Sequence, residues 1–488
     1  MWTRVVIFFT FNLCFQLVRC DSSRIIVVGA GSAGIAAASK LFENGFKNVT
    51  ILEAENRIGG RVCRKQLGEY FVDLGGQWVH GKVGNVAYEM ASPLGLIEEN
   101  PNPLLNLSIF DSSGSQLDHE ITKNISDFFI NLMDDDVKFA PKHTNASIGD
   151  IAIKEFQDYF KEHPEINSDL SQGLLYMFEL MELTLDSADN WTDISLQTYG
   201  EYWPCTGSQL YGWKEKTYAT ILDILMKKYP DPGKELPVLN NTILNAEVTK
   251  IDYSNDIVSI TTNRGDVYSA DYVIVTPSLG VLKEQHQTLF EPPLPDWKVN
   301  AIEGINFGNV AKIFLLFEEQ WWPEMFYATF AWKETDRLEL EKDPKKKWLR
   351  GFFSAFSDNY RPKLLCGWMS STAAREMEQV SEEDVLEGVT EVLHRFIGKD
   401  YNITRPVKLL RSQWYSNKHF RGTYSYHGIE TESRNVKPAQ LAEPLTKNDK
   451  PVVLFAGEAS NDHHFSTVHG AIETGWREAD RIIKLESN

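Results

Sequence analysis

The residues of this chain best placed to do chemistry begin with glycines. Gly29-Ala30-Gly31-Ser32-Ala33-Gly34 is a G-x-G-x-x-G between a β-branched run and an alanine-rich stretch. The first glycine permits a tight turn and the second lets a pyrophosphate approach the backbone. The third lets helix and strand pack closely, with the helix N-terminus facing the phosphate charge. Glu53, followed by Ala54, closes the next β-branched run at about the 20-residue spacing of an acid that accepts from ribose hydroxyls and repels a 2′-phosphate. Arg57-Ile58-Gly59-Gly60-Arg61 is a second glycine turn, and its Arg61 can neutralise a pyrophosphate. Asp73-Leu74-Gly75-Gly76-Gln77-Trp78 offers another close backbone approach, suited to a ring system. Phe455-Ala456-Gly457-Glu458, near the far end, follows an apolar run and can close over the same nucleotide. A nucleotide contacted from both chain ends is how a long FAD is held. No second dinucleotide fingerprint supports a nicotinamide-dependent reductase. Lys312 is a different signal: it interrupts the apolar run Val310 to Phe317. A buried amine there is costly, so the residue points to function unless it snorkels to the surface.

These residues need elements to hold them. Arg24 to Val28 reads as a buried strand, Ser32 to Phe42 as a helix and Asn48 to Leu52 as a strand, a βαβ start that implies a parallel sheet. Met90 to about Pro230 has helical periodicity and many acids. Leu244 to Val275 alternates as β-structure, with a hairpin turn at Asn263-Arg264-Gly265 and a buried strand at Asp271 to Val275. Lys345-Lys346-Lys347 belongs to a solvated surface loop. Val452 to Phe455 is a last buried strand. Gly470 to Leu485 is a last helix, with Ile472, Trp476, Ala479 and Ile483 on one stripe. Fold-critical segments at the start, middle and end imply an α/β protein with interleaved domains. A Rossmann-like nucleotide domain takes residues 21–95, 235–300 and 445–488, and a substrate domain takes 96–234 and 301–444.

The chain has 488 residues, with 49 Lys+Arg against 68 Asp+Glu, a net charge of −19, 42% apolar and 24% charged residues. That balance excludes wholesale disorder and fibrous architectures. The acidic excess argues against nucleic acid and is compatible with a cationic ligand. Residues 1–20 read as a secretory signal peptide: Arg4 is basic, Val5 to Leu13 is apolar, and cleavage falls before Asp21. The apolar run is too short for a span of about 20 residues, and no later run is longer. Removal of Cys14 and Cys20 leaves Cys63, Cys205 and Cys366, an odd number, so at least one thiol stays unpaired. N-x-S/T triplets begin at Asn48, Asn106, Asn124, Asn145, Asn190, Asn240 and Asn402. They fit a glycoprotein of the secretory lumen or beyond, with Asn48 unmodified at the edge of a core strand. No metal site is expected.

The motifs GAGSAGI, LEAENRIGGR, DLGGQWVHG, TPSLGVLK, GNVAKIFLLF, FRGTYSY, LFAGEAS and STVHGAIETGWREADRI, in this order, resemble the FAD-dependent amine oxidase family. Within it they are most similar to polyamine oxidases of the spermine and acetylpolyamine type, over nearly all of the mature chain. The resemblance implies a Rossmann-like FAD domain interleaved with an α+β substrate domain. It places Gly29, Gly31, Gly34, Glu53, Arg61, Trp78 and Glu458 at cofactor positions, and Val248 where the backbone meets the adenine. It places Thr467 and Val468 near the pyrimidine end of the flavin and Lys312 where a lysine holds a water near flavin N5. His80, in WVHG, matches the active-site histidine of animal members. Trp414 and Tyr424 match aromatic positions beside the flavin and along the substrate tunnel, and Glu201 is a candidate acid at the tunnel mouth. The implied reaction oxidises a C–N bond of a cationic polyamine and reduces dioxygen to hydrogen peroxide. Thr467 stands where plant members place an aromatic residue, and Tyr202 to Trp213 diverges from the family pattern, so the preferred amine stays open. No cysteine follows Cys366, so a C-terminal cysteinyl-flavin link is excluded and the FAD is expected to be non-covalent. A secreted L-amino-acid oxidase and a flavoprotein that binds without catalysis are the alternatives.

Overall fold

The computed structural model describes residues 23–100, 107–137 and 146–487. The signal-peptide expectation for 1–20 and the sequons at Asn106 and Asn145 lie outside the described residues.

Ile25–Val28 is a strand with every side chain buried, as expected for β-branched residues covered on both faces. It pairs in parallel with Val49–Leu52 on one side and Tyr272–Val275 on the other. Lys450–Phe455 extends the sheet in parallel beyond Tyr272–Val275, and Thr242–Ile243 extends it beyond Val49–Leu52. Leu445–Lys447 closes one edge antiparallel, giving six strands. Gly29, Glu53, Thr276 and Ala456 therefore follow parallel strands at one end of the sheet. That carboxyl end is where open α/β sheets bind ligands.

The helix Ser32–Glu43 connects the first two strands, and the last helix, Val468–Ser487, lies against it. Ile472, Gly475, Ala479 and Ile482 are among its buried residues. Trp476 and Ile483, expected on the buried stripe, pack at its margin. The stripe turns because Gly475 marks the closest approach: a β-carbon there would sit 2.1 Å from the Ala33 carbonyl oxygen.

A second six-stranded sheet has the order Lys408–Arg411, Ala311–Leu316, Leu364–Met369, Ser354–Ser357, Tyr327–Ala331, Ser108–Asp111. Ala311–Leu316 is buried throughout and places Lys312 opposite Trp368. Helices His119–Asn131, Ile148–Glu162 and Ser168–Asp186 build an aromatic-rich core beside this sheet. The helical reading of 90–230 is met by the three helices between His119 and Asp186 and by a short one at Thr220–Leu225, but strands stand at Glu98–Glu99 and Ser108–Asp111. Beyond Asp186 the chain runs mostly in turns, with a short strand at Tyr211–Gly212, where Pro204 and Gly207 interrupt regular structure.

The hairpin joins Val258–Thr262 to Val267–Ala270, with Gly265 at φ +81°. Lys345 and Lys346 sit on an exposed turn, after a helix at Glu334–Glu341 that sequence periodicity did not reveal. Asn124, Asn190, Asn240 and Asn402 are exposed, and so is Asn48, one residue before its strand. Cys63, Cys205 and Cys366 are all buried free thiols. Among the described residues no helix is long and apolar enough to cross a membrane.

Candidate active site

Each glycine of the fingerprint meets a different demand. Gly29 has φ +103°, and a β-carbon there would come within 2.6 Å of Thr276 Oγ1. At Gly34 a β-carbon would lie 2.0 Å from the Gly29 carbonyl oxygen, so helix and strand touch through this residue. At Gly31 a β-carbon would meet nothing within 4 Å, and the same is true at Gly457, φ +130°. The first and third glycines are thus filled by protein, while Gly31 and Gly457 border open space beside the helix N-terminus. That is the space a pyrophosphate needs.

The second glycine turn lies against the first: Gly59 N–H donates to the Ala30 carbonyl at 2.7 Å. Glu53 is buried and accepts from Ala30 N–H at 2.7 Å and Glu55 N–H at 2.8 Å. Burial raises it above its usual carboxylate value. A carboxylate has about four lone-pair sites, so these two bonds leave capacity for a ribose hydroxyl. Ala54 is half-buried beside it. The segment carrying Val248 is docked here, because Ala246 N–H donates to the Glu53 carbonyl at 2.8 Å and Val248, itself buried, begins the next strand.

Arg61 and Glu458 link the two chain ends. Arg61 Nη1 donates to Glu458 Oε1 at 2.9 Å and to the Thr423 carbonyl at 2.5 Å. Glu458 also accepts from Ser425 Oγ at 2.7 Å and Ser466 N–H at 2.9 Å. Removing one partner of a buried charge pair leaves the other uncompensated. Glu458→Ala is expected to cost about 3 kcal/mol and to weaken flavin retention; a thermal melt and the flavin absorbance per protein check both. Thr467 Oγ1 is engaged locally, accepting from Gly470 N–H at 3.0 Å. Val468 approaches Gly76 so closely that a β-carbon there would lie 2.9 Å from Val468 Cγ2.

Lys312 does not snorkel. It is buried, and Nζ donates to the Gly75 carbonyl at 2.6 Å, Gln77 Oε1 at 2.7 Å and the Asp73 carbonyl at 3.2 Å. The DLGGQW turn is therefore folded around this amine. Burial lowers Lys312 to about 8, while Cys366 and Asp73 pull the other way. Asp73, also raised by burial, accepts from Tyr218 N–H with both oxygens, at 3.1 and 3.0 Å. Trp78 stacks on Trp368, centroids 5.3 Å apart, and Nζ lies 5.0 Å from the Trp368 ring. A cavity of about 190 Å³, lined in part by Asp73, Gln77, Trp78 and Cys366, opens beside this group. Lys214, Lys216 and Arg361 also line it, which suits water or a neutral molecule better than a polycation.

His80 is half-buried, and its Nδ1 lies 2.6 Å from the Gln209 carbonyl. A carbonyl only accepts, so Nδ1 carries the hydrogen and Nε2 presents a lone pair. Burial lowers the ring below the usual histidine value and keeps it neutral. Trp414 is buried, with Nε1–H on the Leu74 carbonyl at 3.3 Å and its ring against Gly75, so it packs on the glycine turn. Glu201 has a partner. Its Oε2 meets His427 Nδ1 at 3.0 Å, and this bond holds the carboxyl below its usual range.

Tyr424 leads to acids that sequence reading missed. Its hydroxyl donates to the Thr184 carbonyl at 2.5 Å, between Glu182 and Asp186 on the helix Ser168–Asp186. Tyr199 Oη donates to Glu182 Oε1 at 3.1 Å. Burial, reinforced for Glu182 by Asp186, raises Glu182 to about 8, and burial raises Asp186 to about 7. Acids at i and i+4 in the mainly apolar C-terminal half of this helix were the available signal. Thr423, next to Tyr424, is the residue whose carbonyl holds Arg61, so one short segment touches both the Arg61 turn and the helix that carries the acids.

The sequence matches the family described as flavin containing amine oxidoreductase over residues 32–197 and 238–483. It is 31% identical over 494 residues to the peroxisomal N(1)-acetyl-spermine/spermidine oxidase of Bos taurus, covering 95% of both chains. The Homo sapiens protein of the same name is 31% identical over 493 residues, again with 95% of both chains covered. Probable polyamine oxidase 5 of Arabidopsis thaliana is 28% identical over 539 residues, covering 95% of this chain and 98% of the relative. The glycine cradle fits FAD, with Gly31, Glu53, Arg61 and Gly457 around the nucleotide and the turn from Gly75 to Trp78 at the ring end. The chain belongs to the flavin-containing amine oxidoreductases and is an FAD-dependent amine oxidase.

Proposed function

We propose that the protein oxidises a secondary amine of spermine, spermidine or their acetylated forms, passing electrons to dioxygen and releasing hydrogen peroxide, an aminoaldehyde and a shorter amine. The observation that carries this reading is the acid pair near Tyr424, with Glu182 buried and Asp186 half-buried. Two acids on one helix face suit a ligand with several cationic nitrogens. An L-amino-acid oxidase needs a cation to hold the substrate carboxylate, and these acids would repel it.

When bound, FAD supplies the two-electron acceptor for a hydride equivalent from the carbon next to nitrogen. The chain's residues do the rest. The reacting nitrogen must be neutral, because its lone pair stabilises the developing iminium. His80 Nε2, an acceptor in a neutral ring, takes a hydrogen bond from an amine N–H and adds no positive charge beside it. Lys312, with a pKa lowered to about 8, exchanges its longest contact, the Asp73 carbonyl at 3.2 Å, for a water reached from the adjoining cavity, which hydrolyses the imine. Glu182 and Asp186 bind a second, cationic nitrogen and so set which amine reaches the reacting position. The FAD is held without a covalent link, and the N-terminal segment directs the protein into the secretory pathway; N-terminal sequencing of the mature protein checks the latter.

Glu182→Gln is expected to raise KM for spermine about tenfold, the value of one lost charge-assisted hydrogen bond, with a smaller effect on kcat. The carboxylate, not the acid, binds the cation. As pH falls through 8 toward 7, wild-type KM therefore climbs as these raised groups protonate. The same profile flattens in Glu182→Gln. Steady-state kinetics from pH 6 to 9 with a panel of polyamines and L-amino acids tests the reading. Equal KM values and parallel profiles for the two proteins would remove Glu182 from substrate binding.

A further inference from the structure

We propose that Cys205 is a peroxide-sensitive thiol, oxidised by hydrogen peroxide to a sulfenic acid while His464 takes its proton. Burial raises Cys63, Cys205 and Cys366 above the usual thiol value, so all three rest as thiols. They differ in their partners. Cys63 and Cys366 lie in an apolar cluster. Cys205 Sγ lies 3.7 Å from His464 Nε2 and 3.9 Å from His469 Nε2, within reach of a sulfur hydrogen bond.

Hydrogen-bond direction assigns the roles. The Glu473 carboxylate only accepts, and its oxygens lie 2.9 and 3.1 Å from His464 Nδ1. His464 therefore carries its hydrogen on Nδ1 and turns a lone pair toward the thiol. His469 is arranged the opposite way. Asn85 Oδ1 accepts from the N–H groups of Ala87 and Tyr88, which fixes the amide. Its Nδ2 then donates to His469 Nδ1 at 3.3 Å. Burial and the neighbouring His464 lower His469 to about 3, so the ring is neutral and its hydrogen sits on Nε2, aimed at sulfur. The thiol has a carboxylate-oriented base on one side and an N–H donor for a thiolate on the other, the grouping that activates nucleophiles.

The three candidate ligand atoms lie within 4.8 Å of one another, a spacing that also invites a metal ion. A metal would need a lone pair on His469 Nε2. That tautomer would turn Nδ1–H against the Asn85 amide N–H, so the bonding pattern favours the thiol.

Access and electron balance are both met. A β-carbon at Gly84, on an exposed turn, would lie 3.6 Å from Sγ, so the sulfur sits just beneath the surface. The thiol proton moves to His464, and sulfur attacks one peroxide oxygen. An S–O bond forms as the O–O bond breaks, and the departing hydroxide takes the proton from His464 as water. Sulfur loses two electrons and peroxide gains them. The modified sulfur would sit on the loop that positions His80, because Gln209, whose carbonyl holds His80, donates from Nε2 to the Cys205 carbonyl at 3.0 Å.

The test treats the purified holoenzyme in two arms: with added hydrogen peroxide, and with spermine and oxygen. Samples are quenched into denaturant containing dimedone, and each cysteine is read by tandem mass spectrometry. In the added-peroxide arm Cys205 is expected to label at least about tenfold faster than Cys63 and Cys366 in the same molecules. His464→Gln should erase most of that difference, and Glu473→Gln part of it. Equal labelling of the three cysteines, an unchanged rate in His464→Gln, or stoichiometric zinc shielding Cys205 in the purified protein would overturn the proposal. The spermine arm rests on the oxidase reading and the added-peroxide arm does not. Labelling in the second alone would therefore count against that reading and support the thiol.

Discussion

Lys312→Met leaves the protein folded and yellow but lowers turnover about 10²–10³-fold, the size of effect expected when a positioned proton-transfer group or its water is lost. Methionine matches the aliphatic stem and fills the same buried strand position, so no cavity opens. The change removes the donor that gathers the Gly75 carbonyl, Gln77 Oε1 and the Asp73 carbonyl. It also leaves those acceptors without their donor, which costs about 1–3 kcal/mol of stability, a loss that a thermal melt checks. Rapid mixing separates the steps: the loss should fall on flavin reduction or reoxidation, not on flavin content. Wild-type turnover in this variant would take Lys312 out of the mechanism.

The two glycines Gly31 and Gly34 should fail in different ways when each is changed to alanine. Gly31→Ala puts a methyl group into open space. The protein without cofactor should melt as wild type does, yet purify nearly colourless, because the methyl group occupies the path of the pyrophosphate. Gly34→Ala instead drives a β-carbon to 2.0 Å from the Gly29 carbonyl oxygen, where backbone has to move. Overpacking of that kind costs about 1–3 kcal/mol and more where backbone shifts, so this variant should lose stability with or without flavin. Melts of protein with and without cofactor, beside flavin stoichiometry, distinguish the two. Equal flavin content in Gly31→Ala and wild type would mean that the cofactor does not pass over this residue.

The cradle was legible in the sequence because each of its demands falls on backbone. Only glycine suits a φ of +103° or a β-carbon contact of 2.0 Å, and the spacing between the glycines reports the turn. Lys312 was legible because a lone cation in an apolar strand has few structural uses. Glu182 and Asp186 were not, since acids four apart on a helix look the same whether the face meets solvent or a channel. Only the contacts of Tyr199 with Glu182 and of Tyr424 with the Thr184 carbonyl show that this face is covered by protein. The packing of the Trp414 ring behind Gly75 had no signal in the sequence, because the two residues are far apart in the chain. The grouping around Cys205 draws on residues 85, 205, 464, 469 and 473, and no spacing in the chain announces it.

Anaerobic mixing of the holoenzyme with spermine, spermidine and their acetylated forms, followed by the flavin absorbance, tests polyamine oxidation most directly. At least one of these amines should bleach the oxidised flavin within the time of a turnover, and air should restore the colour with one hydrogen peroxide per flavin. A flavin that stays yellow with every polyamine, yet bleaches with an L-amino acid, would contradict it.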